Sequence, residues 1–220
     1  MSALLFALWA ASSARAGEPS ALAALRAAAP AAAEAPAAPG RPRDEPLEIS
    51  AVVVDGVQIV GEAPFIAATR AAFALIERSR LASEVFAALK RVEEGPCSGV
   101  DPSPRLPVFY AGGPTWQADT LWYASAVVHD SRHSQLYAEA LKRAPALEPD
   151  EIEWEGVTGE RKALAYQLSF LRELKASPER LAYVAGLEKD PRYQGAEGVE
   201  VVGQRRDGTF HELDCRGRNW

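Results

Sequence analysis

The chain reads as an α+β fold, mostly helical with small β-hairpins, and three observations carry that reading. Apolar residues return at three- and four-residue steps through most of the stretch from 64 to 187. Short β-branched runs flank Asp-Gly pairs near residues 55 and 207, the sequence signature of tight hairpins. Helix ends are punctuated by capping residues and prolines in between.

Taken in order, residues 1–16 hold an apolar stretch followed by small residues ending Ala14-Arg15-Ala16, which suits a cleaved export signal. Residues 17–46 are dominated by Ala and Pro, and the prolines interrupt any helix the alanines start, so a disordered spacer is expected. A single domain is then expected over 47–220. It opens with two strands, 47–54 and 57–60, around Asp55-Gly56. From residue 64 to about 94 the pattern is helical, with Phe65, Ala72, Ile76, Leu81, Val85, Leu89 and Val92 in step and a break near Ser79. Gly95-Pro96 ends that run, Pro102, Pro104 and Pro107 keep the next segment extended, and residues 106–110 form a short strand before a Gly112-Gly113-Pro114 turn.

A long helix is expected from Asp119 or Thr120 to Arg143, closed by Lys142-Arg143 and Pro145. A second spans about 158–175, with Leu164, Leu168, Leu171 and Leu174 on one face to pack against its predecessor. Ser177-Pro178 caps a short helix through Leu187, and residues 199–202 and 209–213 close the chain as a hairpin around Arg206-Asp207-Gly208.

A net charge of -6 argues against nucleic acid, because phosphate binding relies on clustered Lys and Arg. No segment has eighteen uninterrupted apolar residues, so no membrane span is expected. With an export signal the product is secreted or periplasmic, where the only two cysteines, Cys97 and Cys215, can form a disulfide or stand as unrelated thiols.

The chemistry concentrates in the long helix, at His129-Asp130-Ser131-Arg132-His133. Residues four apart lie about 40° apart on one helix face, a turn apart in height, so both imidazoles can reach one ion. Neutral imidazole is a good zinc ligand, but two rings leave a tetrahedral ion short of protein donors. Glu160, near the start of the next helix, is the best carboxylate to complete the set, with Ala163 on its face allowing close helix approach. Glu155 and His211 are substitutes, and Glu160 can equally be a solvent-facing first-turn acid complementing the helix dipole.

A His-x-x-x-His helix followed by a helix bearing Glu resembles the zinc metallopeptidases of the zincin type, in the branch whose third ligand is glutamate. The family pattern is HExxH, and this chain has HDSRH at 129–133. The resemblance implies Zn2+ held by His129, His133 and Glu160, Asp130 as general base, Tyr137 as an electrophilic helper, and metal-bound water attacking a carbonyl of a peptide or protein substrate. Asp130 is one methylene shorter than the family's glutamate, a loss of about 1.5 Å in reach. Tyr137 can also be an ordinary aromatic at the core edge, and Trp122 either roofs a cleft or packs between helices. Two other readings stay open: a non-catalytic metal-binding module, and a disulfide-tied binding module without metal.

Overall fold

The computed structural model describes residues 49–103, 105–145, 147–189, 200–204 and 210–214. Its first two strands, β1 (Ser50–Val54) and β2 (Val57–Gly61), pair antiparallel around Asp55 and Gly56. Both turn residues have positive φ, 50° and 79°, which is what a two-residue primed turn demands and why Asp-Gly serves there. Pro64 then enters the first turn of α1 (Ala63–Ile76), where a missing N–H costs nothing. Phe65, Ile66, Thr69, Ala72, Phe73 and Ile76 form its buried face. Beyond Ser79 comes α2 (Ala82–Ala88), whose Phe86 meets Phe73 edge-on at 5.1 Å.

The chain next departs from the helical expectation. Leu89 is extended, and β3 (Arg91–Glu94) follows as the middle strand of the sheet. It is parallel to β2 on one side and to β5 (Val108–Ala111) on the other. A four-residue run with one apolar side chain has no resolvable period, and ladder bonds on both sides settle the conformation. The stretch expected to be merely extended also holds β4 (Gly99–Asp101), antiparallel to β5, and completes a five-stranded mixed sheet in the order β1-β2-β3-β5-β4.

Gly113-Pro114, expected as a turn, opens a one-turn helix, α3 (Gly113–Trp116), with Trp116 edge-on to Phe65 at 5.7 Å. Then comes α4 (Thr120–Arg143), with the boundaries its caps predict. The Asp119 side chain accepts from the Trp122 N–H at 3.0 Å, and Arg180 grips the same carboxylate with two N–H groups at 2.9 and 2.6 Å. Its apolar face, Tyr123, Ala124, Val127 and Val128, joins Phe65, Phe73, Val92 and Phe109 in one core.

A single turn, α5 (Glu151–Trp154), leads into α6 (Val157–Glu173), and α7 (Pro178–Leu187) follows, capped by Ser177. Leu164 and Leu171 of α6, Val184 of α7 and Trp122 of α4 form a second core cluster, so α6 packs on α4 as its leucine stripe predicts. Strands β6 (Glu200–Gln204) and β7 (Phe210–Asp214) make a separate antiparallel hairpin. The export segment, the Ala/Pro spacer and Cys215 lie outside the described residues, while Cys97 is buried beside Val108 and Tyr110. Among the described residues no helix is long and apolar enough to cross a membrane.

Candidate metal centre

One face of α4 carries Trp122, Ser125, His129, His133 and Tyr137, a stripe produced by three- and four-residue steps. The middle of the stripe meets the first turns of α6. Glu160 sits there with Gly159 and Ala163, both buried, so the helices approach closely where the acid is.

The expected ligands converge. His129 Nε2 and His133 Nε2 are 3.0 Å apart. Glu160 Oε2 is 3.3 Å from His129 Nε2, and Glu160 Oε1 is 3.6 Å from His133 Nε2. Donor atoms of His129, Asp130 and His133 also lie within 4.8 Å of one another. All four residues are no more than 1% exposed. A buried group of two imidazoles and an acid at this spacing can hold a metal ion.

The electrostatics follow from that burial. Desolvation of His133 weighs against its charge and is opposed first by the charge and hydrogen bond of Glu160. With the charge of Asp130 and the carbonyl of Trp154 added, His133 is held above the ordinary imidazole value. Desolvation pushes Glu160 the other way, and the charge of His133 with hydrogen bonds from both rings holds it well below the usual carboxylate range. The site therefore favours an anionic Glu160, the form that ligates.

The other residues singled out from the sequence fall as follows. The Tyr137 hydroxyl donates to Glu148 Oε1 at 2.5 Å, and its ring stands edge-on to Trp154 at 5.4 Å. Burial, then that bond and the Glu148 charge, push Tyr137 up to about 12. Trp122 packs between helices, 5.8 Å from the ring of Tyr183 and under Arg180. Glu155 is half-buried at the α5–α6 junction, and His211 lies on β7 opposite Gly203.

Sequence reasoning missed Trp154. Its backbone carbonyl accepts from His133 Nδ1 at 2.5 Å. A main-chain acceptor has no residue-type signature, and the one available hint was the glycine of Gly156-Val157-Thr158-Gly159, which marks close backbone approach.

A groove of about 490 Å³ lies on a different flank of α4, lined by Glu84, Lys90, Arg132, Gln135, Ala138 and Glu139 among others. Ala138 is about half a turn round the helix from His129, and His129, Asp130, His133 and Glu160 do not line this groove.

No protein-family model, curated protein or solved structure matches this chain.

Proposed function

We propose that the chain is an exported zinc-dependent hydrolase of the metallopeptidase type, with His129, His133 and Glu160 as ligands and Asp130 as general base. One observation carries the reading. Ligand atoms about 2.0 to 2.1 Å from a tetrahedral zinc stand about 3.3 to 3.4 Å from one another. The two Nε2 atoms stand 3.0 Å apart, one Glu160 oxygen lies 3.3 Å from His129 Nε2 and the other 3.6 Å from His133 Nε2, so the three residues bring donor atoms to spacings close to that figure. Two neutral imidazoles and one carboxylate leave a fourth corner for water or substrate.

His129, His133 and Glu160 would hold the zinc, which would polarise a carbonyl and lower the pKa of water toward neutrality. Asp130 follows His129 directly, and its carboxylate belongs to the same tight group of donors. It takes the proton from the attacking water and returns it to the leaving amine.

A second reading, a closed zinc centre serving structure alone, is favoured by the burial of all four residues and by the groove's lying on another flank. In that case Asp130 supplies the fourth ligand.

Elemental analysis of the purified, chelator-washed and zinc-reloaded chain should give one zinc per chain, lost in His133→Ala. Absence of zinc from the unmodified chain would overturn both readings. Hydrolysis of a generic protein substrate that disappears in Asp130→Asn, with zinc retained, selects the enzyme. Retained zinc with no hydrolysis by the unmodified chain selects the structural centre.

A further inference from the structure

His133 has two ring nitrogens, and only one can face an ion. A carbonyl oxygen can only accept, so the 2.5 Å contact with Trp154 places the hydrogen on Nδ1. In the neutral ring the lone pair is then on Nε2, the nitrogen facing His129 and Glu160.

The carbonyl can stand there because of the residue five places on. A Cβ on Gly159 would lie 2.3 Å from the Trp154 oxygen and 2.4 Å from its carbonyl carbon. Both are backbone atoms, which cannot swing aside as a side chain can. Gly159 has a helical place in α6 and immediately precedes Glu160. The corner from Trp154 to Glu160 thus delivers two things to the cluster: the carboxylate, and the acceptor that orients the ring opposite it. The Trp154 ring, edge-on to Tyr137, holds the corner against α4 a turn beyond His133.

We infer that Gly159 is a positioning residue for metal binding: by admitting the Trp154 carbonyl to His133 Nδ1, it sets the tautomer that presents Nε2 to the ion. This rests on the metal reading but not on catalysis. Partners of the non-ligating ring nitrogen commonly set metal affinity over one to two orders of magnitude.

The test uses the full chain. Zinc affinity is measured by competition with a chromophoric chelator, and the His133 tautomer by long-range proton–nitrogen NMR of the metal-free protein at a pH where the ring is neutral. The unmodified chain is expected to show the Nδ1–H form. Gly159→Ala is expected to bind zinc about 10- to 100-fold more weakly, with that signature lost or split between tautomers. Gly186→Ala is the control, since a Cβ at Gly186 meets nothing within 4 Å, and its affinity should be unchanged. An Nε2–H tautomer in the unmodified chain overturns the inference, whether or not Gly159→Ala folds. So does a Gly159→Ala chain that binds zinc as tightly as the unmodified one. Failure of the unmodified chain to bind zinc removes the metal reading itself, a separate outcome.

Discussion

Ser125 and His129 lie one turn apart on the same face of α4, and both meet α6, yet their surroundings are built on opposite plans. At the first position Gln167 donates to the Ser125 hydroxyl at 3.0 Å, and that hydroxyl donates to the Trp122 carbonyl at 2.8 Å. The arrangement is neutral, and its hydrogens run in one direction between groups that complement each other. One turn on, two ring nitrogens and a carboxylate crowd within 3.6 Å. Ionisable groups face one another there, and in a low-dielectric interior they are stabilised by sharing protons or a cation. Burial alone, equal in both places, does not distinguish them. What marks the second as a candidate metal centre is the convergence of metal-ligating side chains.

The sharpest way to break this comparison is to take the cation away. With free zinc at about a thousandfold excess over Kd, loading should stabilise the fold by about 4 kcal/mol, and chelation should remove that increment. Glu160→Ala should show no zinc-dependent rise in denaturant midpoint at all. An equal rise in Glu160→Ala would place the ion elsewhere.

Ser125→Ala comes next. It leaves the Gln167 amide buried without its acceptor, and a loss of about 1 to 3 kcal/mol in chemical denaturation is expected, with zinc stoichiometry intact. Gln167→Leu should cost less, within about 1.5 kcal/mol. It replaces the amide with an apolar group of similar size, and Ser125 keeps the Trp122 carbonyl. A zinc loss in either variant would mean that the two positions are one network.

The smallest effect lies at the far end of the stripe. Tyr137 titrates near 12 in the fold against 10.0 ordinarily, so its protonated form is favoured by folding. That contribution is whole below pH 10 and is lost as pH rises toward 12. Tyr137→Phe should flatten this alkaline decline in thermal midpoint while leaving zinc content unchanged.

Much of the architecture was legible because it is written in local chemistry. Asp119 and Ser177 cap the helices they announce, and Asp55-Gly56 makes the hairpin its backbone preference demands. The histidine pair was visible for the same reason, since spacing of four on a helix fixes a face before any tertiary contact forms. Glu160 was visible as a candidate only, because acids in a first turn are common; helix packing decided its place. Strand β3 was not legible. Its residues obey no period, and its conformation is imposed by β2 and β5, neighbours distant in the chain. Nor was the Trp154 carbonyl, since every residue but none in particular advertises a backbone oxygen.

All three proposed donors come from one continuous stretch running from the middle of α4, through the α5 corner, into α6. Bringing them together requires closing only a short loop, and such closures are fast and cheap compared with assembling a sheet from remote strands. A cation captured by that helical hairpin would act as a clasp during folding, holding two helices in register before β1 through β5 have found their order.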